Sequence, residues 1–465
     1  MKLPYFKRVY SNIENMQTMI DLQEKELENF RRNQCDKLEA YLDKEGPVAA
    51  HHVNDADKNI DCTLYVRDAD KWKSFCERDY WLVATPDVCI VDEGIILPLK
   101  KDEDNPHADV GGKGGVCSPD NLFVTGHERG VGEYDTYGAY HVHEVIQHIP
   151  ETVVYGGLYI DHFGHFLSEC LSRLWWYAEN KDSNLKCVFI SSANKIDDKF
   201  IELLGILGIP GSNIVLCQEP TQFDAVIVPE QSYHIGGGYT EKARMIYNIF
   251  RDSENPKNYE KVYLTKTKYP GTDAINEDYF ESFFESQGYK IVSPEILSVK
   301  EQIALMAGVK QLACVSGTLG HQIVFCQDEV EILILNKNEH PLVTQCWMNQ
   351  LRKAKSAFID VSVNFLPHTL TASGYLLLPT VYWKKYLYSL DDKLQASQIS
   401  IDLYRYLFEY VEVWAKRMWG FTDVPEQLRF IQKSTLADVI ININEVLLNE
   451  KLDEEQKQKL RETFK

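Results

Sequence analysis

Gln311-Leu312-Ala313-Cys314-Val315-Ser316-Gly317-Thr318-Leu319-Gly320-His321 runs from an apolar stretch through a turn of small residues into a second apolar stretch. Five apolar residues bounded by a turn read as a buried strand, and the segment from Leu319 reads as a helix. The pattern repeats on both sides. Val262–Thr265 predicts a strand, Glu277–Gln287 a helix, Tyr289–Val292 a strand, Lys300–Ala307 a helix and Glu331–Leu335 a strand. Units of about 20 to 25 residues leave room for right-handed crossovers between parallel strands.

Further toward the N-terminus a second alternation appears. Cys187–Ile190 predicts a strand, Asp197–Leu207 a helix, and Ile214–Cys217 and Ala225–Val228 strands. Val153–Ile160 predicts a strand that delivers into Asp161, and Leu167–Ala178 has helical periodicity. Trp81–Leu99 reads as strands separated by turns, and Lys101–Gly132 reads as loop. The expected fold class is therefore α/β, with two doubly wound, Rossmann-like domains facing a cleft. The expected organisation is a helical appendage over 1–50, an α/β domain over 51–235, a second over 236–380 and a helical tail over 381–465. His234 and the glycines at 236–238 sit at the junction, where glycine suits either a hinge or a close approach to ligand.

Composition narrows the function classes. The formal charge of -20 argues against a nucleic-acid partner, which would need a basic face. No run approaches the length of a membrane span, and the first residues lack the apolar core of a secretory signal. Eleven cysteines without a Cys-x-x-Cys pair predict reduced thiols and a cytoplasmic location.

Three segments carry candidate chemistry. Asp161-His162-Phe163-Gly164-His165-Phe166-Leu167-Ser168-Glu169, followed by Arg173, lies where a strand meets a helix. There His165 and Glu169 fall on one side, four residues apart. Either suits removal of a proton from a hydroxyl, with Glu169 alternatively orienting His165. A capping histidine beside a buried core histidine is the plainer alternative. His162, His165 and Glu169 also offer three metal ligands, but their spacing does not match His-Glu-x-x-His, so no metal is expected. Ser316-Gly317-Thr318 with His321 suits a close approach to a diphosphate, or is simply a tight turn. Lys266, with Lys268 beyond it, is either a cation for a departing diphosphate or a solvated lysine.

Together these segments resemble glycosyltransferase family 61. The resemblance rests on Val91-Asp92-Glu93-Gly94, Ile96-Leu97-Pro98 and Gly114-Gly115-Val116, then on His165-Phe166, Glu169 and Arg173-Leu174-Trp175. It continues through Lys261–Thr265, Asn276-Glu277, Gly288-Tyr289, Pro294-Glu295 and Glu301-Gln302-Ile303, and ends on Ser316-Gly317-Thr318, His321 and Phe325. The resemblance implies a GT-B-like fold, an inverting mechanism without an obligate metal, and a role in bacterial surface or capsular polysaccharide assembly. It implies acid/base roles for His165 and Glu169 and donor contacts from Thr318 and His321; read from the residues themselves, His162 is a further catalytic candidate and Lys266, Ser316 and Gly317 further donor-binding candidates. Asp161, Arg173, Asn276 and Glu277 would support them. No cofactor is expected. The partners implied are a nucleotide sugar as substrate and a glycan or lipid-linked acceptor. Association with the inner face of a membrane, with an assembly complex or with a second copy of the chain fits the same picture. Two departures stand out: Lys266 replaces a common arginine, and Asp273-Ala274 stand where an arginine would precede Asn276. Lysine is a point charge without the bidentate fork of arginine. A non-catalytic scaffold subunit and a pyruvyl- or phosphate-type transferase are the competing readings.

Overall fold

The computed structural model describes residues 50–101, 112–129, 140, 147–181, 183–269, 272–362, 374–390, 409–410, 413 and 453–463. The appendage expected over 1–50 and most of the expected tail fall outside these residues. Of the tail, helices at Val381–Leu390 and Glu454–Thr463 are described.

The chain enters through an antiparallel hairpin, β1 (His51–Asp55) and β2 (Ile60–Tyr65). A meander follows: β3 (Val88–Asp92), β4 (Ile95–Lys101), β5 (Gly112–Cys117) and β6 (Phe123–Thr125). Next come β7 (Gln147–Leu158), β8 (Lys186–Ile190), β9 (Ile214–Cys217) and β10 (Thr221–Pro229). These eight strands, β3 to β10, form the first sheet in the order β6-β5-β4-β10-β7-β8-β9, with β3 on β10. Only β7 to β10 pair in parallel; β3 to β6 pair antiparallel. The first half is thus a mixed sheet rather than the uniformly parallel one expected. Only Glu93 and Gly94 separate β3 from β4, too few residues for a parallel crossover.

A short hairpin, β11 (Tyr233–His234) and β12 (Gly238–Tyr239), leads into the helix Glu241–Arg251. The second half contributes β13 (Lys261–Leu264), β14 (Ala274–Ile275), β15 (Lys290–Val292), β16 (Gln311–Val315), β17 (Glu331–Asn336), β18 (Lys355–Asp360) and β19 (Tyr375–Leu376). Its main sheet has the order β1-β2-β18-β17-β16-β13-β15, parallel apart from β1. Residues 51–65, which the sequence reading grouped with 51–235, therefore hydrogen-bond into the second sheet. Apolar alternation marks a strand but does not name the sheet it joins.

Two expected elements take another form. Trp81–Thr85 makes an isolated bridge to Tyr239 rather than a strand. Leu167–Ala178 is not a continuous helix: a π turn covers Phe166–Cys170, turns follow, and an α-helix resumes at Trp175–Glu179. Phe166, Leu167, Cys170, Leu171, Leu174 and Trp175 are all buried. A segment enclosed on every side gains little from strict helical periodicity.

The two halves are joined by specific contacts. Glu202 accepts hydrogen bonds from the backbone of Val299 and Lys300 at the start of the helix Val299–Met306. Tyr233, Tyr247 and Trp347 stack in a shared apolar core. The ends of β7, β13, β16 and β17 lead directly into Asp161, Lys266, Ser316 and Lys337. Carboxyl ends of parallel strands are where open α/β sheets bind ligands.

Candidate functional site

The strand β7 delivers the chain into a short turn of helix, Phe163–His165, capped by His162, whose Nδ1 accepts from the Gly164 N–H at 3.2 Å. The π turn then carries Glu169 inward. Such insertions recur at functional sites because they turn side chains out of helical register. Tyr247 donates its hydroxyl to the Leu167 carbonyl, which satisfies a polar group within the irregular turn.

Glu169 is almost fully buried, and both carboxylate oxygens are engaged. Arg129 reaches them through a two-pronged contact, Nε to Oε2 at 2.5 Å and Nη2 to Oε1 at 2.7 Å. His165 Nδ1 hydrogen-bonds Oε1, and His127 Nε2 lies 3.6 Å from Oε2. Burial alone would raise the Glu169 pKa, but the nearby His127, the His165 hydrogen bond and the Arg129 charge hold it well below the usual carboxylate range. An ionised Glu169 makes Nδ1 of His165 the donor, so the other ring nitrogen of a neutral His165 carries the lone pair. Burial lowers the His127 pKa, so that ring is neutral.

Sequence reading missed His127 and Arg129, which lie in the stretch taken as loop. No periodicity marks them; their position is set by tertiary contacts. The Arg129 carbonyl accepts from the Gly236 N–H at 2.9 Å, and the Glu128 carbonyl contacts His234 Nδ1 at 3.1 Å. At Gly238 this turn packs against the protein's own backbone: a Cβ there would lie 2.4 Å from the Tyr80 carbonyl oxygen.

The small-residue turn at 316–318 comes directly against this cluster. A Cβ on Gly164 would lie 2.7 Å from the Thr318 hydroxyl. Gly317 adopts φ 123, a conformation that favours glycine, and opens the turn Thr318–His321. His321 is buried beside the Gly164 backbone, yet neither ring nitrogen has a well-formed hydrogen bond. Burial, with the neighbouring His165, His162 and Lys266, pushes its pKa down to about 3. His162 opens to water on one side, but the crowded cleft, then His165 and Lys266, lowers its pKa to about 4. Both rings are therefore neutral near pH 7.

Lys266 is half-buried and makes no side-chain hydrogen bond or ion pair among the described residues. Beneath it, Glu277 is buried, accepts from the Tyr263 hydroxyl at 3.3 Å and leaves Oε2 without a hydrogen bond. Burial, then Glu281, raises its pKa to about 8 even though Lys266 opposes the shift. Asn276 holds a left-handed backbone, φ 68, and donates its amide to the Leu377 carbonyl at 2.7 Å. Ser316 accepts from the Lys337 N–H at 3.1 Å.

Two predicted residues sit to the side. Arg173 is fully buried and stitches Gly126, Thr125 and Pro229 together over the Tyr155 ring, so its donors face the scaffold. Asp161 is exposed and accepts from the Tyr159 hydroxyl at 3.0 Å.

Among the described residues no group of three or more His, Cys, Asp or Glu side chains is arranged to hold a metal ion. No helix among them is long and apolar enough to cross a membrane. The described cysteines are all free thiols, and all but Cys89 are buried.

Fold and site thus define an α/β protein with a buried His–Glu–Arg cluster on one half and a small-residue turn with a nearby lysine on the other. Residues 163–333, which span the paired turns, match the family model for Glycosyltransferase 61. This part of the chain is therefore similar to that family. No curated protein matches the chain.

Proposed function

We propose that the chain is a glycosyltransferase that moves a sugar from a nucleotide-sugar donor to a hydroxyl of a glycan or lipid-linked glycan, with inversion and without a metal. The layout assigned is GT-B-like, with the acceptor on the first half and the donor on the second. The observation that carries the reading is His165 hydrogen-bonded to a fully engaged Glu169, in a turn whose Gly164 packs against the Thr318 hydroxyl. Glu169 is too enclosed to reach an acceptor, so His165 is assigned as the base and Glu169 as the group that orients it. Arg129 holds Glu169 in its ionised form.

In this reaction the free nitrogen of His165 takes the acceptor O–H proton as that oxygen bonds to the anomeric carbon. The bond from that carbon to the phosphate oxygen breaks, and the nucleoside diphosphate leaves with the electron pair. Lys266 stabilises the charge that develops there, with neutral His321 and the amides around Gly317 and Thr318 as further donors. Neutral His162 lines the same cleft without repelling Lys266. A cytoplasmic enzyme of surface-polysaccharide assembly, working at the inner face of a membrane, fits such an acceptor.

The test is a screen of purified protein against UDP-, GDP-, CMP- and TDP-sugars, with and without EDTA. The expected result is slow release of one nucleotide, unaffected by EDTA and abolished in His165→Ala. Loss of release with EDTA would return the metal reading of His162, His165 and Glu169. Binding without turnover, unchanged in Glu169→Ala, would favour a scaffold subunit.

A further inference from the structure

Lys261, Gln311, Glu331, Lys355 and Asp61 lie at the starts of β13, β16, β17, β18 and β2, and each is the register partner of the next. Register partners point to the same face of a sheet, so the five side chains form one row across five strands. Adjacent strands lie about 4.8 Å apart, which makes the row about 19 Å long. Two residues further along, the same face turns apolar with Tyr263, Ala313, Leu333 and Ala357. The helices Glu277–Ser286 and Val381–Leu390 pack over that apolar part, through Phe280, Phe284, Trp383 and Leu387. Lys261, Glu331 and Lys355 stay exposed, and a cleft of about 500 Å³ opens over the row. Phe283, Tyr289, Tyr386 and Leu390 wall it.

The chemistry of the cleft is specific. The charges of the row cancel, Lys261 and Lys355 against Glu331 and Asp61. Gln311 donates to Glu331 at 2.7 Å, and the Lys261 ammonium lies 5.6 Å from the centre of the Tyr289 ring. Burial, then Glu331, raises the Tyr289 pKa to about 12; burial, with Tyr289, Tyr65 and Glu331, also raises that of Tyr386. Two protonated phenols therefore stand near one carboxylate. A phosphate-bearing ligand would need an excess of positive charge, which a balanced row lacks. An extended peptide binds at a free sheet edge or in an apolar groove, and this row crosses interior strands. Donors and acceptors beside aromatic faces instead suit a neutral glycan, whose hydroxyls hydrogen-bond while its C–H faces lie on rings. The six residues of β17 put the row about 17 Å from the carboxyl edge that carries Lys266 and Ser316.

We propose that this cleft is a second glycan-binding site, which holds a neutral stretch of the acceptor chain away from its reacting end. Only the naming of that glycan as acceptor rests on the transferase reading above.

Isothermal titration calorimetry of the full chain with neutral hexasaccharides of glucose, mannose, galactose and N-acetylglucosamine tests this. The expected result is saturable binding of at least one, and weaker binding of a hyaluronan hexasaccharide, which carries carboxylates. Glu331→Ala with Lys355→Ala removes two neighbours in the row and keeps the charge balance. This double variant should melt like the wild type and bind about 10- to 100-fold more weakly, the range for hydrogen bonds to charged groups. Tyr386→Phe keeps the ring and should lose less. A double variant that binds equally tightly would overturn the assignment, and so would a wild type that binds no neutral hexasaccharide. An equal loss in His165→Ala would move the glycan to the catalytic cleft and overturn it too, as would tighter binding of hyaluronan. Binding here without turnover of any nucleotide sugar would sink the transferase reading and leave the cleft standing. Turnover without binding here would sink the cleft alone.

Discussion

Glu169 and His321 are both buried, one in each half of the molecule, and are treated in opposite ways by the fold. Glu169 is buried with both oxygens held by Arg129 and His165, and His127 stands close by. His321 is equally enclosed, yet its ring nitrogens lack well-formed hydrogen bonds, and Lys266 nearby has no ion pair among the described residues. An acid/base group must be fixed before the substrate arrives, because its geometry sets the rate. Groups that receive a charged leaving group are most effective when their hydrogen-bonding capacity is not spent on the protein. On the proposed reading, one face is rigid through internal satisfaction, while the other keeps its polarity for the leaving group.

Removing the anchor of the satisfied face should have the largest effect. Glu169→Ala leaves Arg129 buried without its anion, a change of about 3–5 kcal/mol in stability for a broken buried pair. Thermal unfolding should show a pronounced drop, together with loss of turnover. Acid should act in the same direction in the wild type. The depressed Glu169 pKa contributes stability above its unfolded value, and that contribution is lost as pH falls through the folded value. An unchanged melting temperature in Glu169→Ala would show that the face is not held by this carboxylate.

Gly164→Ala tests the contact between the faces. The added methyl would lie 2.7 Å from the Thr318 hydroxyl, so the turns must separate or the hydroxyl must rotate away. Overpacking of this kind costs about 1–3 kcal/mol. Steady-state kinetics should show turnover reduced by about tenfold, consistent with a small misplacement of reacting groups. Restoration by Thr318→Ser would not be expected, because the clashing hydroxyl remains; Thr318→Ala should relieve it.

The smallest effect is a pH dependence on the donor side. Glu277 is neutral below its raised pKa of about 8 and ionises above it, placing a negative charge beside Lys266. Diphosphate affinity should hold steady up to about pH 8 and then decline, while Glu277→Gln should show a flatter profile. The stability linkage has a matching sign. An acid raised from its ordinary value of 4.5 makes folding less favourable as pH rises from there toward 8, and Glu277→Gln should lose that slope. Identical pH profiles for the two proteins would remove Glu277 from the donor face.

The second half was the more legible in sequence because its strands are buried on both faces and read as unbroken apolar runs, such as Leu312–Val315 and Ile332–Leu335. The pairing of His165 with Glu169 was also legible, since a four-residue step puts them on one side of a turn. What escaped was set by long-range contact. Arg129 completes the carboxylate site from a segment whose local composition reads as loop, and its backbone is fixed by Gly236, 107 residues on. Lys337 likewise arrives beside Ser316 through the pairing of β17 with β16 in the sheet, not through any motif. Of the junction glycines, left open between a hinge and a close approach to ligand, Gly238 packs against the Tyr80 backbone, a contact within the protein that neither alternative foresaw.

The most direct test of the central claim separates turnover from donor binding in His165→Ala, using the nucleotide sugar identified by the screen. Loss of a general base should lower kcat by about 10²- to 10⁴-fold. Donor Kd should stay within about twofold, because Lys266 and the Gly317 turn remain in place. Unchanged turnover in a well-folded His165→Ala protein would contradict the account, and so would a loss confined to donor binding.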